Sequence, residues 1–449
     1  MSVAYTAYRH VSAGLFFIGF PVFWGFAHIT GRHRQNLSQR LGRYPHSLRP
    51  ARGGPRVWLH AASVGEVSVA MAILDALADI RSDADVVVST TTPQGLAVAR
   101  ARLPERVPCV LAPLDASAVV ARGLRHIRPD VLVCVETELW PCWLVTARQA
   151  GIRTALVNGR ISQGSFRGYL RARCLMTSVL DHVDAFSMIS DGDARRIRAM
   201  GADGGRIRVN GNAKFDAGDR RGPVGIDPEA FRRLFNLTDD TPVWVAGSTR
   251  SGEDAMVLEA FMAARRRHPG LTLILAPRHV QRAADIVALA RQRQIFCQLR
   301  SDLRPGGAAR RAPLIILDSV GELNSVYQLA HVVFCGGSLV PKGGQNVLEA
   351  AALGKPVLYG PYMDDFLAES AALTDGGGGR PVADSRQLGQ AVADLLSSPE
   401  AIQRMGAAAL RVVHANRGAA ARHAAVIADL LPAPQKHVSR RDAEAQRKP

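Results

Sequence analysis

The sequence predicts an α/β protein of two tandem domains of similar size, each a parallel sheet with crossover helices. Three observations support this prediction. The chain has 449 residues, enough for about two or three ordinary domains. Short apolar runs alternate with longer segments that have apolar residues at helical spacing, which is typical of parallel sheets. A segment rich in Gly and Asp, from Phe215 to Pro228, interrupts this alternation and indicates a linker.

The apolar runs predict the strands of both domains. In the first domain they are Val57–His60, Val86–Ser89, Cys109–Leu111, Val131–Val135, Thr154–Val157 and Ala185–Ile189. In the second domain they are Val243–Ala246, Thr272–Ala276, Ile295–Gln298, Leu314–Leu317, Val332–Cys335 and Val357–Tyr359. Ligands bind at the carboxyl ends of such strands, so we expect a cleft between the two sheets.

Composition restricts the possible partners. The net charge of +17 indicates an anionic partner, which is a nucleic acid, an acidic membrane face or a phosphorylated substrate. Aromatic residues make up only 6% of the chain and no RNA-binding motif is apparent, so we predict no nucleic-acid partner. The six cysteines form no CxxC pair, which indicates buried free thiols in a reducing compartment.

The N-terminus has an apolar stretch, Val11 to Ile29, without a charged side chain. Its length is near the minimum for a bilayer span, although Pro21 and two glycines weaken a straight helix. No cleavage signal follows it, and the segment to Arg56 contains arginines but no acid. This pattern predicts a membrane anchor that spans the bilayer or lies in its interface, next to anionic lipid. A buried N-terminal helix is the alternative.

These features give four predicted regions. Residues 1–31 form the membrane anchor, 32–220 the first domain, 221–431 the second domain and 432–449 a basic disordered tail. Within the first domain, Phe166 to Leu180 predicts one amphipathic helix with arginines on its polar side. That side is either a solvated surface or a site for an acidic lipid headgroup.

The segment from Phe334 to Gly354 has the strongest binding signal. An apolar strand leads into Gly336, Gly337 and Ser338, and a second glycine pair precedes a helix predicted to begin near Gln345. Glycines permit close approach of a ligand, and a helix N-terminus favours an anion. The segment predicts a phosphate and sugar pocket, and a tight strand–helix turn is the alternative.

Acidic residues follow two strands of the first domain. Ser63 and Glu66 have the spacing of a helix capping box, which is the interpretation that local sequence favours. Alternatively, Glu66 is a general base for sugar transfer to a hydroxyl. Glu136 and Glu138 end the strand at Val135, where acids are unusual unless they are paired or functional.

Several basic loops also follow strands, and we expect Lys214, Arg250, Arg278 and Lys342 to converge on one ligand. Such a cluster stabilises a leaving phosphate. Two Asp-x-Asp segments, at Asp83 and Asp191, have the form of a metal motif. The first precedes its strand and the second has the pattern of a helix N-terminus, so we predict no required metal.

A set of motifs follows in order along the chain: His60-Ala-Ala-Ser-Val-Gly-Glu66, Thr92-Pro-Gln-Gly95, Glu136-Thr-Glu-Leu-Trp-Pro141, Asn158-Gly-Arg-Ile-Ser162, Lys214-Phe-Asp216, Pro277-Arg-His279, Gly321-Glu-Leu323 and Gly336-Gly-Ser-Leu-Val340 with Asn346 and Glu349. The full set resembles the 3-deoxy-D-manno-octulosonic acid (Kdo) transferase family over nearly the whole chain. The resemblance implies two Rossmann-like domains of the GT-B glycosyltransferase type. It also implies transfer of Kdo from CMP-Kdo to the lipid A precursor at the cytoplasmic face of the bacterial inner membrane, with no cofactor.

The resemblance also implies roles for individual residues. Glu66 becomes the general base and Glu136 a second acid near the acceptor. The implied donor site comprises Lys214, Ser248, Arg250, Pro277, Arg278, Gly336, Gly337, Ser338, Asn346 and Glu349. The implied acceptor site comprises Ser63, Gly65, Arg160 and Arg167.

The chain departs from the family pattern at several positions. Gln345 replaces a common His, Val347 a common Pro and Gly164 a common Arg, while Tyr362 and Asp365-Phe366 stand where the family has His and Asn-Phe. Gln can donate a hydrogen bond but cannot carry charge. Two alternatives therefore stay open: a GT-B transferase or epimerase that uses a UDP-sugar, and an inactive membrane-bound scaffold of the same fold.

Overall fold

The computed structural model describes residues 2–30, 37–48, 54–217, 227–304 and 310–433. The described chain forms two compact units, residues 1–217 with 418–449 and residues 218–417. Three parts of the sequence lie outside the described residues: positions 218–226 of the linker predicted from Phe215 to Pro228, most of the predicted basic tail, and the arginines at 32, 34, 49 and 52.

The first unit contains a seven-stranded parallel sheet in the order β3-β2-β1-β4-β5-β6-β7. Its strands are β1 (Arg56–His60), β2 (Asp85–Thr90), β3 (Cys109–Leu111), β4 (Val131–Val135), β5 (Arg153–Gly159), β6 (Ala185–Met188) and β7 (Ile207–Val209). Its helices before the linker are α1 (Val3–Thr30), α2 (Leu37–Arg40), α3 (Val64–Ile80), α4 (Pro93–Arg102), α5 (Ser117–Ile127), α6 (Pro141–Gln149), α7 (Gln163–Arg171), α8 (Arg173–Leu180), α9 (Asp191–Ala199) and α10 (Lys214–Ala217).

The second unit contains another seven-stranded parallel sheet, in the order β10-β11-β9-β8-β12-β13-β14. Its strands are β8 (Val243–Thr249), β9 (Thr272–Pro277), β10 (Cys297–Leu299), β11 (Leu314–Ile316), β12 (Val332–Cys335), β13 (Val357–Tyr359) and β14 (Gly379–Pro381). Its helices are α11 (Pro228–Leu234), α12 (Asp254–Arg267), α13 (Ala283–Gln292), α14 (Leu323–Leu329), α15 (Leu348–Ala351), α16 (Leu367–Asp375), α17 (Ser385–Leu396) and α18 (Pro399–Ala415).

Both sheets follow from the sequence pattern. Their central strands are buried on both faces and consist of apolar residues, such as Val131–Val135 and Val332–Cys335. All the predicted strands are present within a few residues of their predicted bounds. The edge strands β7 and β14 were not predicted, because Ile207–Val209 is largely exposed and Gly379–Pro381 has no apolar run.

The last helix, α19 (Ala419–Leu430), belongs to the first unit, so the prediction that residues 221–431 form the second domain is wrong at its C-terminal end. Its buried side chains Ala420, Ala424 and Ile427 pack in the same core cluster as Val67 and Ile73 of α3. An alanine-rich amphipathic helix carries no sequence signal that tells which of two α/β cores it covers.

The predicted single helix from Phe166 to Leu180 is in fact two helices, α7 and α8, which meet at Ala172. Helix α7 has no buried residue, whereas α8 buries Met176, Val179 and Leu180. The arginines at 167 and 171 are exposed, whereas Phe166 and Tyr169 of the same helix are partly buried against the core of the first unit.

Helix α1 covers most of the predicted anchor. Its first part is fixed to the first unit: Tyr5 is buried, Tyr8 Oη donates to Asp115 Oδ2 at 2.8 Å, and the Oγ atoms of Ser2 and Ser178 are 2.6 Å apart. Further along, Phe17 and Ile18 are exposed. Within the described residues, no helix is both long and apolar enough to cross a bilayer.

Candidate active site

The acidic motifs meet at the point where the strand order of the first sheet reverses. Strands β1 and β4 are neighbours, with His60 paired to Cys134, although two other strands lie between them in the sequence. Connections from β1 and β4 leave this point in opposite directions, which opens a crevice at their carboxyl ends. The loop that leads to Glu66 follows β1, and Glu136 directly follows β4.

Glu66 lies in the first turn of α3 and closes the predicted capping box. Ser63 Oγ accepts from the Glu66 N–H at 3.4 Å, and the Glu66 carboxylate accepts from the Ala62 N–H at 2.8 Å and from the Ser63 hydroxyl at 2.9 Å. The capping interpretation is therefore confirmed. These bonds hold the carboxylate at the start of α3, which is compatible with a second role as a base.

The environment of Glu66 suits proton abstraction near neutral pH. Burial, followed by the negative charge of Glu136, raises the pKa of Glu66 to about 7, against the lowering effect of the bonds from Ala62 and Ser63. A general base functions best when its pKa lies near the working pH.

Glu136 is fixed at the tip of β4 in an unusual backbone conformation. Its φ angle is 58°, in the left-handed region, while its N–H donates to the Val157 carbonyl at 3.0 Å. Lys214 Nζ lies 3.4 Å from Glu136 Oε1, and both side chains are mostly buried, at 14% and 17% exposure. Lys214 was predicted to contact the donor, and the structure places it beside Glu136 in the first unit.

The second acid of the Glu136 motif, Glu138, has a different environment. Its Oε2 is 3.4 Å from Nε2 of the fully buried His60 and accepts from Trp140 Nε1 at 2.6 Å. Burial favours the neutral acid, but the bond and charge from His60 and the bond from Trp140 outweigh it, so the pKa of Glu138 lies below its usual value. Glu138 is thus a fixed anion at neutral pH, whereas Glu66 can exchange a proton.

The predicted acceptor residues lie at the same edge of the first sheet or near it. Gly65 is exposed in the first turn of α3, next to Ser63. Arg160 follows β5, and its carbonyl accepts from the hydroxyl of Thr137, which is adjacent to Glu136. Arg167 is exposed on α7. The structure therefore links Arg160 to the acidic loop, and contact with an acceptor stays a prediction for all four residues.

In the second unit, the glycine loop encloses an internal anion that sequence reasoning missed. The carboxylate of Glu253 is fully buried and accepts four backbone N–H bonds: from Gly337 at 2.6 Å, from Ser338 and Leu339 at 2.9 Å, and from Arg250 at 3.0 Å. Strands β8 and β12, which precede Glu253 and the loop, are neighbours where the order of the second sheet reverses. The amides of Gly337 and Ser338, two residues that were predicted to bind the donor, thus bind a side chain of the protein.

The glycines of this loop have structural causes. A Cβ atom at Gly336 would lie 2.6–2.8 Å from backbone atoms of Thr249 and Gly247, and Gly337 has a φ of +70°. Ser338 is fully buried; its Oγ donates to the Cys335 carbonyl at 2.5 Å and accepts from the Gly360 N–H at 2.8 Å. Both bonds of this hydroxyl are internal, which gives Ser338 a structural role instead of the predicted contact with the donor.

The helix after the loop is shorter than predicted. It begins at Leu348 instead of Gln345 and has only four residues. Asn346 caps this turn: its Oδ1 accepts from the Leu348 N–H at 3.0 Å, and its Nδ2 is 3.3 Å from Glu349 Oε1. So short a helix has little dipole, and the expected anion site at its N-terminus is not supported.

Cationic side chains remain at the carboxyl ends of β8 and β9. Arg250 Nη1 lies 3.1 Å from Nε2 of the exposed His279, and Arg278 is exposed beside it. Ser248, with a φ of 57°, and the buried Pro277 are the strand-end residues that lead into these positions. This grouping, unlike the glycine amides, can receive an anion from solvent.

The two Asp-x-Asp segments have structural roles. Asp83 pairs with Arg81, whose Nε and Nη2 donate at 2.8 and 3.0 Å. Asp193 lies in the first turn of α9, which Ser190 caps, so the prediction of a helix N-terminus is confirmed. In the ranges that the structure describes, no three His, Cys, Asp or Glu side chains are grouped to hold a metal ion.

The fold shows the structural class of the protein. The chain is similar to the crystal structure of a glycosyltransferase from Rickettsia africae, with a TM-score of 0.57 and 11% identity over 84% of this chain and 98% of that protein. At this identity the similarity shows the fold alone. It confirms the predicted class of two parallel α/β units of the GT-B kind.

Sequence comparison gives the family. Residues 35–217 match the family model of 3-deoxy-D-manno-octulosonic-acid transferases. The chain is 31% identical to the 3-deoxy-D-manno-octulosonic acid transferase of Bordetella pertussis over 85% of this chain and 89% of that protein. It is 29% identical to that of Haemophilus influenzae over 86% and 90%. The chain belongs to the Kdo transferase family and is a glycosyltransferase, as its motifs predicted.

Proposed function

We propose that this enzyme transfers Kdo from CMP-Kdo to a hydroxyl of the lipid A precursor in lipopolysaccharide biosynthesis, with Glu66 as the general base. One observation carries the proposal: Glu66 combines a pKa near 7 with a fixed position at the switch point of the first sheet, next to Glu136. Family membership supports the choice of sugar.

In the proposed reaction, the Glu66 carboxylate takes the proton of the acceptor hydroxyl. The acceptor oxygen forms a bond to the anomeric carbon of Kdo while the bond from that carbon to the CMP oxygen breaks, with inversion. The leaving CMP takes the electron pair of the broken bond. Glu136, paired with Lys214, keeps a negative charge close to Glu66 and so helps to keep its pKa high.

The proposed donor site lies in the second unit. Arg250 and Arg278 would neutralise the phosphate of CMP, because a guanidinium donates two parallel bonds to such a group. Asn346 and Glu349, fixed to each other, would contact the sugar or the base. Glu253 would act indirectly, since it holds both the glycine loop and the backbone of Arg250.

We also propose that the protein works at the cytoplasmic face of the bacterial inner membrane. The exposed apolar side chains Leu15, Phe17 and Ile18 of α1 support insertion into the interface of the bilayer. The net charge of +17 supports attraction to anionic lipid. Reaction without a metal cofactor is part of the same proposal.

The test is transfer from freshly generated CMP-Kdo to tetra-acylated lipid A precursor in detergent micelles that contain EDTA, followed by mass spectrometry. A product heavier by one or more Kdo residues is expected. A folded protein that glycosylates the acceptor only with a UDP-sugar would contradict the donor. A Kdo product that forms only when a divalent metal replaces EDTA would contradict the metal independence.

A further inference from the structure

The segment that carries Lys214 is fastened to the C-terminal helix α19. Asp216, two residues after Lys214, accepts from the Gly418 N–H at 2.7 Å and from the Ala420 N–H at 2.8 Å, at the start of α19. Arg422 Nε donates to the Asn210 carbonyl at 2.8 Å. After the second unit the polypeptide thus rejoins the first unit, where the start of α19 is bonded to residues 210–217.

His423 makes the central contact of this attachment. It is fully buried, and its Nε2 lies 3.0 Å from the Gly211 carbonyl. Its Nδ1 lies 2.6 Å from Ser187 Oγ and 3.4 Å from the Asn158 N–H. The side chain therefore joins α19 to the ends of β5 and β6 and to the loop before Lys214.

These partners define one state of the imidazole. A carbonyl only accepts, so Nε2 must carry the hydrogen; a backbone N–H only donates, so Nδ1 must accept. His423 is thus neutral and in a single tautomer. Burial, which lowers the pKa of His423 to about 4, agrees with this assignment.

The network continues to Lys214 itself. Asn158, whose N–H faces His423, accepts from the Ala213 N–H through its Oδ1 at 2.8 Å, and its own φ is 50°. The Gly211 carbonyl is therefore bonded to His423, and the Ala213 N–H is bonded to Asn158, so that the segment immediately before Lys214 is fixed at two points. The position of Lys214 Nζ, 3.4 Å from Glu136, depends on this anchored segment.

We propose that His423 is a positioning residue that holds Lys214 against Glu136 from the C-terminal helix. The importance of His423 for catalysis rests on the proposed function, in which the charge of Glu136 raises the pKa of Glu66. The contact between helix and segment does not depend on it. The sheet edge that carries Glu66, Glu136 and Lys214 is then complete only when α19 has packed on the first unit. In sequence, α19 follows the whole second unit.

Three variants of the full-length protein in detergent test this proposal. His423→Leu removes both ring bonds, whereas His423→Gln keeps an N–H donor at the distance of Nε2 and can still reach the Gly211 carbonyl. Asp429→Asn is the matched control on α19, because Asp429 pairs with Arg208 at the surface, where both are more than half exposed. Thermal unfolding of each variant checks that the fold is retained.

The first readout is the rate at which Lys214 is methylated by formaldehyde and cyanoborohydride, measured by peptide mass spectrometry. We expect His423→Leu to raise this rate about tenfold, because loss of one or two buried bonds favours local opening by that factor. His423→Gln and Asp429→Asn should stay near the wild-type rate. This readout requires no transfer activity, so it separates failure of this proposal from failure of the proposed function.

The second readout is steady-state transfer. We expect His423→Leu to lower kcat by about 10- to 100-fold with little change in the KM for the donor, and His423→Gln to restore most of it. Should His423→Leu not fold, Arg422→Met at its exposed position replaces it, with a smaller change expected in the same direction. Unchanged methylation of Lys214 in folded His423→Leu, or in Arg422→Met if that variant is used, would overturn the proposal.

Discussion

Lys214 Nζ lies 3.4 Å from Glu136 Oε1 and joins the tip of β4 to the segment that follows β7. The pair stands beside Glu66, whose pKa is raised partly by the charge of Glu136. Two carboxylates and one ammonium group therefore share one edge of the first sheet. In this arrangement Lys214 fixes the position of the Glu136 carboxylate, whose negative charge helps to raise the pKa of Glu66.

The pH dependence of transfer should report Glu66. A base must be ionised to act, so kcat/KM should rise with pH, with a midpoint near 7, and level off above it. Glu136→Gln removes the second-largest cause of the raised pKa, so the midpoint should move to lower pH. The measurement is a pH–rate profile. Glu105→Gln, at an exposed glutamate, is the control, and an unmoved midpoint in Glu136→Gln would contradict the electrostatic link.

Glu253→Gln should destabilise the second unit and weaken donor binding together. The four backbone donors around this carboxylate would face an amide that has one acceptor oxygen and an unwanted NH₂ group. We expect a loss of at least about 2 kcal/mol in unfolding free energy, together with a lower affinity for CMP. Denaturant unfolding and calorimetry measure the two effects.

The control for this variant is Glu259→Gln on α12, since Glu259 accepts from the hydroxyl of Ser385 at the surface. A Glu253→Gln protein as stable as the control would mean that the four bonds do not hold the loop.

Arg278→Ala should weaken CMP binding without a cost to folding. Arg278 is exposed at the end of β9, and a charge-assisted bond to a phosphate is worth about 1.5–3 kcal/mol, which is roughly tenfold or more in Kd. Calorimetric titration with CMP gives the affinity, and the exposed Arg266→Ala on α12 serves as the comparison. Equal affinities in the two variants would remove Arg278 from the donor site.

Acid should destabilise the first unit through His423. Its pKa is about 4 in the folded protein because of burial, below the ordinary value of about 6.5 for an unfolded chain. Between these pH values the unfolded state binds more protons, so the unfolding free energy should fall as pH falls from about 6.5 to about 4. His423→Gln should reduce the slope of this fall by up to about 1.4 kcal/mol per pH unit. Urea unfolding at pH 7, 5.5 and 4.5 measures it, and an equal slope in both proteins would refute the assignment of a buried neutral His423.

Much of the fold was predictable because the strands of a buried parallel sheet are apolar on both faces and therefore appear in the sequence as continuous apolar runs. The meeting of Glu66 and Glu136 also follows from that pattern, because β1 and β4 adjoin the reversal of the sheet; Glu66 comes after the loop that follows β1, and Glu136 directly follows β4. Glu253 was not predictable in the same way. Its partners Gly337, Ser338 and Leu339 are distant in sequence, and an acid three residues after an arginine resembles a surface turn.

His423 illustrates a second kind of limit. Its alanine-rich helix was predicted to be part of the second domain, because the local pattern does not reveal that this helix packs on the first. The glycines at 336 and 337 were easy to single out in the sequence, but the reason for them was misjudged. They were predicted to let a ligand approach, whereas Gly336 permits close backbone packing and Gly337 has a positive φ.

The most direct test of the central claim compares Glu66→Gln with the wild-type enzyme in transfer from CMP-Kdo to the lipid A precursor, with CMP affinity measured on the same samples. Gln keeps an oxygen that can accept from the Ala62 N–H, so the capped start of α3 should survive while the base is lost. We expect Glu66→Gln to lower transfer by about 10²–10⁴-fold and to leave the CMP affinity unchanged. Transfer at the wild-type rate by Glu66→Gln would contradict the assignment of Glu66 as the base.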